Sequence, residues 1–338
     1  MKITILTHLE KENDPARDVV VDQVADALRG TRHRVSVLGV HGDVKKLLGG
    51  LTRRKPDLIF NLMETFGDTQ LGASGVAGLL DLLQIPYTGG GPGECYLQED
   101  KVVTKKLLAY EGIKYPDFAV FSQDAKLETG GNLRMPLFVK PLRMDASIGI
   151  GAKSLVHNAM DMMKRVVAIH DNVQDAALAE EYIDGREFYV GVLGNEDPQA
   201  LPPIEMDFSG LPNGKPRVLD AKAKWQKNTA EYKGTRAVVA KLPDDMRAKL
   251  QKVSVDAYRA LRVRDYGRID LRLTETNEIY VIEVNASCYL EKSSEFVTAA
   301  AAAGIDYPIL VNRIVELALK RHGGSRAGKR RRKATATV

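Results

Sequence analysis

The stretch GRIDLRL at residues 267–273, followed by IYVIEVN at residues 279–285, decides how the rest of the chain is read. Side chains on a strand repeat every two residues, so Arg268, Asp270 and Arg272 share one face of the first segment while Ile269, Leu271 and Leu273 share the other. On the second segment Glu283 and Asn285 share a face, and Ile282 and Val284 oppose it. Thr274 to Glu278 are turn residues, which makes the pair a hairpin. Matched registers would gather two carboxylates and an amide beside an arginine. Hard oxygen donors of that kind suit Mg²⁺, whose remaining positions go to water and substrate phosphates. A hairpin with an apolar core face and a merely solvated charged face fits the same alternation.

Upstream, the first hundred residues alternate short apolar runs with helical periodicity, the pattern of βα units on an open parallel sheet. Lys2 to Thr7, Arg34 to Leu38 and Asp57 to Leu62 read as strands. Asp14 and Pro15 read as a helix start, and helices are expected at Val44 to Arg53 and Ala73 to Leu83. PYTGGGPG, Pro86 to Gly93, reads as a strand end and a glycine loop that permits close backbone approach. Ligands on such sheets sit at the carboxyl ends of the strands. After Leu97 the pattern becomes α+β: a helix at Lys101 to Tyr110, apolar runs at Phe118 to Phe121 and Leu137 to Lys140, a helix at Asn158 to His170, and strands at Ala177 to Tyr182 and Glu187 to Leu193. Met206 to Leu242 is a long polar loop carrying the only tryptophan, Trp225, and long loops in compact proteins are commonly functional. Helices are expected again at Pro243 to Arg262, Glu291 to Ala303 and Tyr307 to Lys320.

Composition removes several classes of function. At 44% hydrophobic and 28% charged residues, the 338-residue chain has a globular balance rather than a disordered one. No run approaches the roughly 18 apolar residues of a membrane span, and MKITIL leads into His8, Glu10 and Lys11 without a signal-peptide core. Two cysteines, Cys95 and Cys288, are too few for a disulfide framework, so the reducing cytoplasm is the expected location. The net charge of +5 is misleading. Residues 321–338 hold seven basic residues and no acid, which leaves residues 1–320 at −2. A basic block without interleaved aromatics is a solvated tail, with non-specific nucleic-acid contacts at most.

Other residues carry weaker signals. Lys140 ends the apolar run LFVKP just before the small-residue loop RMDASIGIGAKS, where backbone N–H groups of Ser147 and Gly149 could cover phosphate oxygens. Lys101 opens a helix. EEYIDGREF, Glu180 to Phe188, could set carboxylates and backbone groups around a flat ligand, or form an ordinary hairpin on its Asp-Gly turn. The histidines lack metal-ligand spacing, and no nucleophile triad is legible. Cys95 lies at a helix start, where a thiol pKa can fall, but reads as structural.

Taken in order, IPYTGGG, FVKP, SIGIG, EEYIDGREF, AKAKW, GRIDLRL and EVNAS resemble the ATP-grasp enzymes, and within them the D-alanine:D-alanine ligase type, over roughly Lys2 to Leu319. The resemblance implies an N-terminal open parallel-sheet α/β (pre-ATP-grasp) substrate domain at 1–97 and a two-lobed α+β ATP-grasp fold. The lobes would be a central one at 98–184 and a C-terminal one with the metal site at 185–320, followed by a basic disordered tail at 321–338. It implies ATP and one or two Mg²⁺ ions, with Mn²⁺ as the alternative. Lys101 and Lys140 match lysines on the phosphates, and the loop of Ser147 and Gly149 matches the flap over them. Glu180, Glu181, Tyr182 and Ile183 match the adenine-binding hinge, and Glu187 the acid near the ribose. Lys224 matches a lysine near the γ-phosphate. Asp270, Glu283 and Asn285 match the metal ligands, Arg268 the arginine that stabilises the acyl-phosphate and tetrahedral intermediates, and Ser294 a serine that meets the second substrate's carboxylate.

The departures fall in the other half of the site. Ala16 stands where these ligases carry a glutamate for the first D-alanine, Met63 where a histidine is expected, and Ala146 and Trp225 where a serine and a tyrosine connect to that glutamate. Cys288 and Tyr289 replace a Pro-Gly pair. The expected function is therefore carboxylate-amine ligation through an acyl phosphate, with an amino acid or peptide donor other than D-alanine. Glu64, Asp68, His8, Glu10 and Trp225 are the candidate recognition residues. A D-alanine:D-alanine ligase with a divergent pocket and a non-catalytic nucleotide-binding scaffold are the alternatives. Ligases of this type are commonly homodimers, and no membrane contact is expected.

Overall fold

The chain is described by a computed structural model over residues 1–12, 14, 17–67, 69, 71–124, 127–144, 149–211, 217–218, 226 and 228–335, without the side chains of 152 and 324–335. Three sheets follow one another along the sequence. The first is parallel, in the order β2-β1-β3, from β1 (Lys2–His8), α1 (Val19–Gly30), β2 (Arg34–Val40), α2 (Val44–Arg54), β3 (Leu58–Leu62), α3 (Gly72–Leu82) and α4 (Pro92–Glu99). The central sheet is antiparallel, in the order β5-β4-β8-β6-β7, from α5 (Lys101–Tyr110), β4 (Phe118–Phe121), β5 (Leu127–Gly130), β6 (Leu137–Pro141), β7 (Leu155–Val156), α6 (Ala159–Val173) and β8 (Ala177–Glu181). The third runs β12-β11-β9-β13-β14, with β10 also on β9. Its elements are β9 (Arg186–Leu193), β10 (Gln199–Ala200), β11 (Ile204–Asp207), α7 (Ala230–Lys233), β12 (Arg236–Val239), α8 (Asp244–Ala260), β13 (Tyr266–Leu273), β14 (Ile279–Asn285), α9 (Glu295–Ala302) and α10 (Tyr307–Thr335).

Each sheet is closed by the helices its apolar residues demand. Val20, Val24 and Leu28 of α1 pack with Ile3 and Ile5 of β1 and with Leu310 and Ile314 of α10. Val166 and Ile169 of α6 cover Val139 and Ala179 of the central sheet. Leu250 and Ala257 of α8 cover Ile269, Leu271 and Val284 of the hairpin. No helix of the described residues is long and apolar enough to cross a membrane.

Two boundaries differ from the sequence expectation for physical reasons. The first helix begins at Val19, with Asp18 rather than Asp14 as its cap: Asp18 Oδ1 accepts from Val20 N at 2.9 Å and from the Tyr289 hydroxyl at 2.6 Å, so a tertiary contact selects between two adequate caps. Pro15 and Ala16 lie outside the described residues. At the other end the helix does not stop at Lys320. It continues to Thr335 through the segment expected to be a disordered tail, where lysines and arginines favour a helix and Gly323, Gly324 and Gly328 oppose it. Arg321 and His322 belong to the folded body. Arg321 Nη2 donates to Asp265 Oδ2 and to the Tyr87 carbonyl, both at 2.8 Å, and His322 Nε2 accepts from Tyr87 N at 3.3 Å.

Burial, with Arg321 and Arg264 nearby, pulls the His322 pKa from 6.5 down to about 4. The folded protein therefore holds this imidazole neutral where the unfolded chain would protonate it. The associated stability is complete above pH 6.5 and is lost as pH falls through about 4. Urea unfolding at pH 7 and pH 4.5 should register this loss in the native protein, and His322→Asn should flatten it. An unchanged slope in the variant would remove His322 from the account.

Candidate active site

The registers of β13 and β14 match as the chemistry requires. Arg268 pairs with Asn285 and Asp270 with Glu283, and an irregularity follows Asp270. One face of the hairpin enters the core and the other assembles charge. Arg268 donates to both Asp270 oxygens, Nε at 2.7 Å and Nη2 at 2.9 Å, and Nη1 reaches Glu295 Oε2 at 3.1 Å from the first turn of α9. Its guanidinium also lies 5.0 Å over the Tyr189 ring. Burial disfavours the cation, but Asp270 and Glu295 outweigh it and raise the Arg268 pKa well above the usual arginine value. Lys101 Nζ stands 3.4 Å from Glu283 Oε1 and donates to the Met144 carbonyl at 3.1 Å.

This donor set fits a hard divalent cation. A carboxylate accepts about four hydrogen bonds or ligands, so Asp270 keeps capacity beyond Arg268. Asn285 Nδ2 is buried without a hydrogen-bond partner, and because amide N and O are interchangeable by a flip, the same place can offer an oxygen. Among the described residues no group of three His, Cys, Asp or Glu stands together. A cation here would draw on the amide and on phosphate oxygens as well as the two acids.

Beside the hairpin, Lys105 of α5 and Lys140 of β6 share one carboxylate. Lys105 Nζ stands 2.7 Å from Oε1 of Glu180 on β8 and Lys140 Nζ 2.7 Å from Oε2, as ion pairs, and the three side chains are only 2–7% exposed. Burial alone would push Glu180 up, but the two ammonium groups hold its pKa down at about 2. Gly149 has φ +71°, and a Cβ there would stand 2.9 Å from Pro141 Cγ, so this position in the loop after β6 needs glycine. Ser147 lies outside the described residues.

The Asp184-Gly185 pair is not a hairpin turn. β8 and β9 belong to different sheets, and residues 182–185 carry the chain from the central sheet to the third. Gly185 has φ +149°, and a Cβ on it would meet the Leu273 carbonyl oxygen at 2.2 Å. Glu181 and Tyr182 donate their backbone N–H groups to Asp117 O and Pro136 O at 2.9 and 3.0 Å, and Ile183 lies in the same connection. Glu187 opposes Arg272 in the sheet register and accepts from it and from the Tyr189 hydroxyl. Arg272 also donates to Gly185 O at 3.2 Å and to Arg217 O at 2.7 Å, and lies 5.7 Å over the Tyr182 ring. Arg272 was not among the expected site residues, although its place two residues after Asp270 on a charged face was a usable signal.

At the carboxyl ends of β1 and β3 a cavity of about 380 Å³ opens between the first and third sheets. His8, Glu10 and Glu64 line it, as do Met63, Cys288 and Tyr289. Asp68, Lys224 and Trp225 lie outside the described residues. Ser294 caps α9, accepting from Val297 N at 3.5 Å, next to the Glu295 that holds Arg268. The glycine loop between α3 and α4 is packed rather than open. Gly89 N donates to Asp265 Oδ2 and Gly90 N to Ser287 Oγ, both at 2.9 Å. Cys95 and Cys288 are free, buried thiols, and burial with Glu94 pushes Cys95 up to about 12, the reverse of a helix-start activation.

Comparison with known proteins shows the family. Residues 106–316 match the family model described as the D-ala D-ala ligase C-terminus. The chain belongs to the D-alanine–D-alanine ligase family. An uncharacterized protein of Sinorhizobium fredii, y4sG, is 33% identical over 314 residues, covering 90% of this chain and 89% of that one. The D-alanine–D-alanine ligase of Aquifex aeolicus is 31% identical over 298 residues, covering 86% and 92%. The crystal structure of the Bacillus anthracis D-alanine–D-alanine ligase complexed with ATP shares the fold at a TM-score of 0.74 and 21% identity, covering 96% of this chain and 99% of that chain. Members of the D-alanine–D-alanine ligase family are ATP-grasp ligases that form carbon–nitrogen bonds, and this chain has that fold. The charged hairpin, Lys140 and Glu180 lie on the two C-terminal sheets, Lys101 and Lys105 lie on α5, and the cavity lies where the N-terminal sheet meets the third.

Proposed function

We propose that this ligase joins a carboxylate to an amine through an acyl phosphate, using ATP and Mg²⁺, and that its acyl donor is not D-alanine. The observation that carries the reading is Arg268, buried on paired strands and anchored by Asp270 and Glu295 beside Glu283, Asn285 and Lys101. A carboxylate anion repels a nucleophile and has no good leaving group. Attack of its oxygen on the γ-phosphorus breaks the bond to ADP and supplies one. Lys101, Lys140 and Lys224 would hold the phosphates, with Ser147 and Gly149 over them, and positioning with charge neutralisation does most of the work in such transfers. Bound Mg²⁺, held by Asp270, Glu283 and Asn285, would neutralise charge on the phosphate oxygens. The amine then attacks the acyl carbon, phosphate departs, and the Arg268 guanidinium stabilises the developing oxyanion. Glu180, the connection from Glu181 to Ile183, and Glu187 would frame the nucleoside, and Ser294 would meet the carboxylate of the amine substrate.

The donor reading rests on the cavity. Its wall carries Glu64, Glu10 and His8, with Met63 and Tyr289 in places where the ligases it resembles carry a histidine and a glycine. At about 380 Å³ the cavity has room for a donor larger than alanine. Buried free thiols at Cys95 and Cys288 fit the cytoplasm. A screen of amino acids and short peptides by ADP formation, with hydroxylamine trapping of the acyl phosphate, should find turnover only with a pair that excludes D-alanine as donor. Efficient turnover with D-alanine alone would reject that donor assignment, and absence of any ATP-dependent product would reject the ligase reading.

A further inference from the structure

Lys105 is the most deeply buried cation among the charged groups beside the hairpin, at 2% exposure, and nothing in the ligation chemistry above uses it. Its ammonium lies 2.7 Å from Glu180 Oε1 and 5.7 Å from the centre of the Tyr115 ring. It is one helical turn from Lys101, which meets Glu283. Lys140 occupies the other oxygen of Glu180. Two ammonium groups on one carboxylate give this trio a net positive charge, and a buried excess of that kind is costly unless an anion answers it.

We propose that Lys105 is a positioning residue that neutralises Glu180, so that the charge of Lys140 is left for the phosphates of the nucleotide. The inference rests on the reading of Lys140 as a phosphate contact. Without Lys105, Glu180 and Lys140 form a closed buried pair: Lys140 is drawn to the carboxylate and its field at the phosphates is cancelled. With Lys105 in place the carboxylate orients Lys140 without consuming its charge. The same geometry places Glu180 on two lysines, and its part in nucleotide binding runs through Lys140.

This has an unusual experimental signature, because a variant that binds nucleotide less well should fold at least as well. Lys105→Met keeps the length and apolar stem while removing a buried charge whose burial already lowers its pKa. Its melting temperature should be unchanged or higher. The KM for ATP should rise about tenfold, the scale of one charge-assisted hydrogen bond, with kcat within about threefold. Lys105→Met combined with Glu180→Gln removes both members of the neutralising pair, so adding Lys105→Met to the Glu180→Gln enzyme should change the KM by no more than about twofold, whatever Glu180→Gln itself costs. Such non-additivity is what distinguishes coupling from independent structural damage. Lys105→Arg, which keeps the cation, supplies the test should Lys105→Met fail to fold, and its KM should stay within about threefold of native.

An unchanged KM in Lys105→Met, a further rise of about tenfold when Lys105→Met is added to Glu180→Gln, or a large KM rise in a folded Lys105→Arg would each overturn the proposal. Thermal stabilisation of the native protein by MgATP is the control that separates this from the wider reading. If MgATP does not stabilise the native protein, the nucleotide assignment itself has failed, and the role of Lys105 fails with it.

Discussion

Replacing Arg268 by methionine should reduce kcat for amide formation by about 10² to 10³, the cost of removing one preorganised oxyanion donor. The expectation follows from how the guanidinium is held. Two of its nitrogens are fixed by Asp270 at 2.7 and 2.9 Å, a third by Glu295 at 3.1 Å, and its face by Tyr189. A group so constrained undergoes little reorganisation when charge develops nearby, which is the condition under which a dipole or cation stabilises a transition state most. Arg268→Lys keeps the charge but loses the planar fork, since an ammonium cannot span both Asp270 oxygens and Glu295 in the same geometry. It should fall between the native enzyme and Arg268→Met. The measurement is phosphate release with the donor and acceptor pair found by the substrate screen. A kcat within threefold of native for Arg268→Met would take the arginine out of the chemistry.

The second large effect is on stability. Asp265 is fully buried and lies where three elements meet. It accepts from Gly89 N at 2.9 Å, from Asn195 Nδ2 at 3.1 Å, and from Arg321 Nε and Nη2 at 3.2 and 2.8 Å. The partners belong to the glycine loop after the first sheet, the turn after β9, and α10. Removing one member of a buried ion pair leaves the other charge uncompensated, so Asp265→Ala should lose about 3–5 kcal/mol. Asp265→Asn should lose less, because it keeps the shape and tolerates the left-handed backbone at φ +63°. Denaturant unfolding measures both. A midpoint for the alanine variant within error of native would mean that the Arg321 contact is not structural.

The hairpin was legible because a two-residue period, once anchored by an apolar face, determines which polar side chains meet. Arg268, Asp270, Glu283 and Asn285 converge for that reason alone. The change of architecture after Leu97 was legible too, as a change in the length and spacing of apolar runs. Burial depth and long-range pairing were not. Lys105 stands five residues before Tyr110 in a helix full of lysines, and only the approach of Glu180, from a strand far along the chain, distinguishes it from a solvated neighbour. Arg272 and Glu187 were read separately, one in the hairpin and one after the Asp-Gly pair, although the sheet places them opposite each other. Composition misplaced the end of the last helix: the cluster of positive charge suggested a tail, whereas Arg321 is drawn back by a carboxylate that sequence alone cannot locate.

The cavity between the first and third sheets bears on how such an enzyme can diversify. Its described walls come from the strand ends of the N-terminal sheet, the start of α1, Tyr266 and the segment Ser287 to Leu290. None of Lys101, Lys105, Lys140, Glu180, Arg268, Asp270 or Glu283 is among them. Mutations at the strand ends of the N-terminal sheet can therefore reshape this chamber without replacing any of those charged residues. With the donor in this chamber, as proposed above, selection can try new acids there while the charged residues of the other compartment stay the same.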